Sequence, residues 1–163
     1  MIDKQQFTQE AEALLPTLHR IAQGILRNEA DAQDAVQQAL LKAWEKRDTV
    51  RPDSFRPWLS RIVVNGCRDI QRRRLRVTPV DAVPDKPFFE RAYDPPDPAL
   101  TQAIFSLKET LRIPLLLRYM EEYSIPEVAQ ILGLPASMVK NRLFRARRVL
   151  QKNISQLRED ERV

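Results

Sequence analysis

The sequence predicts an all-α protein: two small helical domains, an N-terminal helical bundle and a C-terminal helix-turn-helix domain, joined by a proline-rich linker. Three observations predict it. Apolar residues recur at three- and four-residue intervals through both halves, the spacing of one helix face. Glycine is scarce and proline frequent, 3 against 12, which suits helices with stiff connectors. The stretch VTPVDAVPDKPFFERAYDPPDP at 77–98 holds six of those prolines, mostly acidic charges and no helical period. The expected parts are therefore 1–76, 77–98 and 99–163.

Composition bounds the partners. At 163 residues the chain is one domain or two small ones, and 43% hydrophobic residues suffice to build cores. A formal net charge of +5 and a pI near 9.7 favour a polyanion such as nucleic acid. The single Cys67 excludes an intramolecular disulfide, and one cysteine with one histidine makes no zinc site, so no metal or cofactor is expected. The opening MIDKQQFTQEAEA lacks a basic region followed by an apolar run, and no apolar stretch is long enough to cross a bilayer. Membrane insertion is not expected, and the expected compartment is the cytoplasm.

In the N-terminal half, Phe7, Ala11, Leu14, Leu15, Leu18, Ile21, Ala22, Ile25 and Leu26 predict a first helix, with a kink at Pro16. His19 falls on its polar side and reads as a surface group. Asn28 caps a second helix, Glu29 to Glu45, whose inward stripe is Ala32, Ala35, Val36, Ala39, Leu40, Ala43 and Trp44. The opposite face carries Asp34, Gln37, Gln38, Leu41 and Glu45. A leucine alone on a polar face has two readings, an exposed apolar residue of no consequence or the centre of a partner-binding strip. After the polar loop KRDTVRPDS comes a third helix, Phe55 to Arg76. Phe55, Trp58, Leu59, Ile62, Val63, Gly66 and Ile70 face inward, and Arg61, Asn65, Arg68, Asp69 and Arg72 line an outer side. Its end, RRRLR at 72–76, is either a solvated helix terminus favoured by the helix dipole or a grip for phosphates. Cys67 reads as a small, partly buried side chain and not a nucleophile.

The linker, fully extended, spans up to roughly 70 Å, about two turns of B-DNA at roughly 34–36 Å each. Its aromatics Phe88, Phe89 and Tyr93 dock on a partner or on one of the domains; the sequence does not choose. Beyond it, Leu100, Ile104 and Leu107 predict a short helix. A second follows over Leu111 to Glu122, with Leu115, Leu116, Tyr119 and Met120 inward and Pro114 kinking it or setting its start near Arg112.

The most informative stretch is YSIPEVAQILGLPASMVKNRLFRARRVL, residues 123–150. Ser124 and Glu127 form a capping box, Pro126 falls in the first turn, and Val128, Ile131 and Leu132 share one face. Gly133 stops the helix. Ser137 caps a second helix from Met138, which turns Val139, Leu143, Ala146, Val149 and Leu150 inward. Its other face holds Lys140, Asn141, Arg142, Arg145, Arg147, Arg148 and Lys152 with no acid between. A small apolar face under a basic, amide-bearing one is what a major-groove helix needs, since cations hold phosphates and Asn or Arg pairs with base edges. The other reading is an amphipathic helix with a solvated basic side. The tail QLREDERV is expected to fray. No set of nucleophile, base and phosphate loop supports enzyme chemistry.

Two segments together resemble the extracytoplasmic-function (ECF) group of bacterial RNA polymerase sigma factors. One is DAQDAVQQALLKAW, residues 31–44, followed after a loop by FRPWLSRIVVNGCRDIQRRR. The other is LLLRYMEEYSIPEVAQILGLPASMVKNRLFRARRVL. The similarity covers nearly the whole chain except the linker, and the order of parts matches. The resemblance implies a subunit that binds core RNA polymerase and directs initiation at promoter DNA, not a catalyst. It places Asp34, Gln37, Gln38 and Leu41 against the polymerase clamp, with Gln38 standing where the family usually has glutamate. It assigns Arg61, Asn65, Asp69, Arg72 and Arg73 to the −10 element, where a base is flipped out and held at a cost of a few kcal/mol. It assigns Lys140, Asn141, Phe144, Arg145 and Arg148 to the −35 element. Ser137, Met138 and Asn141 replace a common Gly, Thr and Ser, and Asn141 suits adenine. An anti-sigma protein is an expected partner. The alternative is a stand-alone helix-turn-helix regulator, which would bind its operator tightly without polymerase.

Overall fold

The computed structural model describes residues 2–77 and 98–161, and among these every regular element is helical. The linker readings, including those on Phe88, Phe89 and Tyr93, lie outside the described residues.

Helix α1 (Lys4–Leu26) begins before Phe7 because Asp3 caps it, its carboxylate accepting from the Gln6 amide at 2.7 Å. It runs on through Pro16 and ends at Arg27, a left-handed residue with φ 56°. Asn28 caps α2 (Glu29–Glu45) as expected, accepting from the Asp31 amide at 2.9 Å. The polar loop then forms two short 3-10 turns, Arg47–Thr49 and Pro52–Ser54, before α3 (Phe55–Val77).

These three helices pack on one another. The alanine-rich stripe of α2 (Ala32, Ala35, Ala39, Ala43) is buried and lets the helices approach closely; a Cβ on Gly66 of α3 would meet the Ala35 carbonyl at 3.8 Å. Phe7 anchors one end of the bundle, edge-on to Trp44 at 5.2 Å and to Phe55 at 5.6 Å. His19 is half-buried.

The C-terminal half holds α4 (Pro98–Ser106), α5 (Glu109–Leu115), α6 (Ile125–Leu132) and α7 (Ala136–Glu161). Of the two expectations for Pro114, a kink or a helix start near Arg112, the start is not met: α5 begins at Glu109 and Pro114 lies inside it. Beyond Pro114 the helix widens into a π turn, Leu116–Met120, closed by the Glu121 amide on the Leu116 carbonyl at 3.0 Å. This turn changes which residues face inward: Leu115, Leu116 and Leu117 are buried, whereas Tyr119 and Met120, expected inside, are exposed.

The capping box of α6 is present in both directions, Glu127 amide to Ser124 Oγ at 3.2 Å and Ser124 amide to Glu127 Oε1 at 2.9 Å. Gly133 ends the helix at φ 66°. Helix α7 starts at Ala136, with the Pro135 carbonyl accepting from Met138 and Val139, so Ser137 is an exposed first-turn residue and not the cap. Its inward row is Val139, Leu143, Ala146 and the half-buried Leu150, a strict i, i+4, i+7, i+11 stripe. Val149 lies off that stripe and is exposed, against expectation. The tail, expected to fray, is helical to Glu161.

The two halves are in contact. One continuous core runs from α1–α3 to Ile113, Leu117, Tyr123, Val128 and Ile131, while a smaller cluster of Ile104, Leu107, Leu115, Leu116 and Ala146 closes the C-terminal half alone. Helix α3 packs on α6 as well as on α1 and α2.

Candidate nucleic-acid and partner interface

Three outward faces carry the residues singled out by the sequence. On α2, Asp34, Gln37 and Leu41 are exposed, Leu41 by 67%, directly behind the buried alanines. Half-buried Gln38 donates to the Asp34 carboxylate at 3.0 Å, so an amide and a carboxylate flank the leucine in fixed geometry.

On α7, Lys140, Asn141, Phe144, Arg145 and Arg148 all point to solvent, Phe144 by 53%. The Arg148 guanidinium stands 5.6 Å from the Phe144 ring centre, a cation–π pair within the face itself. Arg147 is turned aside to the Tyr119 hydroxyl and ring. The face can therefore offer several cations, one amide and one ring to a groove.

The outer side of α3 differs. Asn65, Asp69, Arg72 and Arg73 are exposed, and Arg72 reaches Asp69 at 3.3 Å. Arg74, next in the basic run, is paired with Asp31 of α2. Arg61, at the other end, is engaged by the C-terminal half: its Nη1 donates to the Gln130 carbonyl at 3.1 Å, and a Cβ on Gly133 would lie 3.5 Å from its Nη2. The structure thus brings Asn65, Asp69, Arg72 and Arg73 together on an open surface and sets Arg61, also exposed, at the edge that meets the C-terminal half.

Sequence reasoning missed the polar contacts between the halves. Arg20 forks onto Glu121, 3.0 Å from Nε to Oε2 and 2.7 Å from Nη2 to Oε1, and the Glu121 side chain is only 1% exposed. Arg56 donates to the Glu121 carbonyl at 2.7 Å and covers the Tyr123 ring at 4.2 Å. The Tyr123 hydroxyl, fully buried, is hydrogen-bonded to Ser60. Burial pushes the Tyr123 phenol above its ordinary pKa, partly offset by the Ser60 hydrogen bond and by Arg56. Arg112 donates to the Gly24 carbonyl of α1 at 3.1 Å; burial, and then the charge of Arg27, lowers its pKa. Gln71 of α3 bonds Glu109. Cys67, expected to be partly buried, is fully so, and burial with the nearby Glu109 charge pushes its thiol up to about 12. The signal that would have found this surface is a second stripe on α3, Arg56, Ser60, Val64, Cys67 and Gln71, whose small members Ser60 and Cys67 make room for a neighbour.

A helix-turn-helix with an open basic reading face, tied to a second helical unit with its own basic helix and a partner strip, defines a sigma-type transcription initiation factor. Family models agree segment by segment: Sigma-70 region 2 matches residues 11–77, and Sigma-70 region 4 matches residues 98–150. The chain is 32% identical over 158 residues to the ECF RNA polymerase sigma-E factor of Escherichia coli K12, covering 85% of this chain and 83% of that one. It is 28% identical over 136 residues to the RNA polymerase sigma factor SigV of Bacillus subtilis, covering 82% and 81%. Among solved structures it matches CnrH bound to the cytosolic domain of CnrY, with TM-score 0.72, 26% identity, and 94% and 90% of the two chains covered. It also matches the sigma factor RpoE of Bartonella quintana bound to the anti-sigma factor NepR, with TM-score 0.73, 25% identity, and 91% and 96% covered. The chain belongs to the ECF RNA polymerase sigma factors; it binds core polymerase and directs initiation at promoters carrying −10 and −35 elements.

Proposed function

We propose that the work is divided among the surfaces as follows. Residues 1–76 bind core polymerase and melt the −10 element, 77–98 join the halves, and 99–163 read the −35 element. Asp34, Gln37, Gln38 and Leu41 meet the polymerase. Arg61, Asn65, Asp69, Arg72 and Arg73 hold the opened −10 strand. Lys140, Asn141, Phe144, Arg145 and Arg148 enter the −35 major groove, where Asn141 makes paired hydrogen bonds to a base edge and the arginines hold phosphates. Each half alone offers few phosphate contacts, so its binding to duplex is weak and salt-sensitive; polymerase adds selectivity by fixing the spacing between them. Nucleotide addition belongs to the polymerase, and this chain, acting in the cytoplasm, is its specificity subunit. The observation that carries the reading is the α7 face, whose five assigned residues are all exposed while the apolar row behind them is closed. An anti-sigma factor is a further partner, as NepR is for the Bartonella quintana protein.

Purified core polymerase, assayed on promoter templates with and without the chain, tests this. Promoter-dependent transcripts are expected only with the chain present. Tight operator binding by the chain alone, without any such transcripts, would overturn the reading.

A further inference from the structure

One exposed cation of α7, Arg147, has no part in the reading face described above. It follows Phe144 by three residues and Lys140 by seven, so the three share one line along the helix. Arg147 is held from outside the helix. Its Nη1 donates to the Tyr119 hydroxyl, and its guanidinium carbon stands 6.0 Å from the centre of the Tyr119 ring. The guanidinium of Arg118 lies 5.9 Å from the same ring centre. Arg118 is itself tethered, donating to the Tyr123 carbonyl at 3.3 Å.

The backbone is built to present this pair. Tyr119 would face inward on a regular helical period, and the π turn after Pro114 brings it out to 48% exposure. Such turns recur at functional sites. The donors then combine. A phenol that accepts from Arg147 still has its own O–H to give, and a guanidinium bonded through Nη1 has further N–H donors on its other nitrogens. The two groups lie within one hydrogen bond of each other, so two oxygens of a single anion can be met together, one by the hydroxyl and one by the cation.

We propose that Tyr119 and Arg147 form a phosphate clamp beside the −35 face, one that takes a backbone phosphodiester of the same duplex. Arg147 supplies the charge; Tyr119 fixes its direction and adds the second donor. The clamp rests on the promoter-binding reading above for its ligand. The line shared with Lys140 and Phe144 favours the duplex in the groove over a free anion. Phosphate contacts set a protein's register and angle on DNA and carry no base information. An arginine already held in place also loses less freedom on binding than a free one. The clamp therefore sets how α7 lies in the groove, and the choice of bases stays with the proposed readers.

The test uses the full chain and a short duplex of arbitrary sequence, with affinity followed by fluorescence anisotropy across a salt series. Arg147→Ala is expected to weaken binding about fivefold at physiological salt and to lower the salt slope by about one. Tyr119→Phe keeps the ring and loses only the hydroxyl. It should weaken binding about two- to tenfold with the slope near the wild-type value, because the cation stays. The double variant should lose less than the product of the two single losses, since without Arg147 there is no charge left to aim. A Tyr119 that only supports the fold would lower the melting temperature and leave DNA affinity alone. An unchanged slope in Arg147→Ala, an unchanged affinity in Tyr119→Phe, or losses that multiply independently each overturn the clamp. Randomised-promoter selection with the holoenzyme should return the same base preferences for both variants; an altered column would make the pair base readers and overturn it too. A wild-type holoenzyme that selects no promoter at all would sink the sigma reading, while the arbitrary duplex still decides the clamp.

Discussion

The outward faces of α7 and α3 are built from the same materials, cations with an amide among them, yet they stand in different states. Helix α7 has one apolar row and one polar face, on which Lys140, Asn141, Phe144, Arg145 and Arg148 are exposed. Helix α3 has no face to spare. One side packs on α1 and α2, a second lies under the C-terminal half, and only the third, Asn65, Asp69, Arg72 and Arg73, is open. Access to the proposed −35 face is therefore fixed by the helix's own amphipathicity, whereas the proposed −10 face has one member, Arg61, bonded to the C-terminal half. A substitution on α7 should report DNA binding directly, and one on the covered side of α3 should mix binding with docking.

The comparison can be anchored on a surface that neither promoter helix uses. Leu41→Asp places a charge at the centre of the α2 strip and should weaken core-polymerase binding by about 2–4 kcal/mol, as truncation of an interface hot spot does. Because Leu41 is 67% exposed, thermal stability should barely move. Fluorescence anisotropy with labelled core polymerase checks the first and a melting curve the second; an unchanged affinity removes the strip from the account. Next in size, Asn141→Ala should relax preference at one −35 position by about 1–3 kcal/mol, seen as a flattened column in a randomised-promoter selection. An identical profile would strike Asn141 from the readers. Arg148→Ala should weaken binding to all sequences alike and lower the salt slope by about one. Arg61→Ala is the contrasting case. It loses a proposed −10 contact together with the bond to the Gln130 carbonyl, so its net effect on transcription should fall below that of Arg148→Ala. A larger loss from Arg61→Ala would mean that the two faces are equally accessible.

Much of this was legible in the chain itself. Residues that mark local structure were read correctly: Asn28 as a cap, Ser124 with Glu127 as a capping box, and Gly133 as a stop each act within a few residues of themselves. The candidate faces on α2 and α7 were legible for the same reason, since a one-sided stripe is a property of one helix. What escaped was set by partners distant in sequence. Ser60 and Cys67 look like unremarkable small residues until Tyr123 and Glu109 arrive across the boundary. Tyr119 and Met120 were assigned inward on a regular helical period, and the π turn after Pro114 rotated them out. Val149 shows the converse, an apolar residue one position off a stripe that Ala146 and Leu150 already fill.

Two glycines carry the contrast down to single methyl groups. Gly133 has φ 66°, a conformation that an L side chain reaches only with strain, and it lies beside the Arg61 guanidinium where the C-terminal half meets α3. Gly133→Ala should cost about 1–2 kcal/mol, which for a chain of this size lowers the melting temperature by several degrees. Gly66 sits mid-helix on the α2-facing side of α3, where an added Cβ would find the Ala35 carbonyl at 3.8 Å, ordinary van der Waals contact. There the substitution removes the entropic penalty of a helical glycine and should stabilise by about 0.5–1 kcal/mol. The opposite signs separate backbone conformation from packing, because both changes add the same methyl group, one at a half-buried position and one at an exposed one. A destabilised Gly66→Ala in urea denaturation would mean that α2 and α3 approach more closely than the 3.8 Å contact allows.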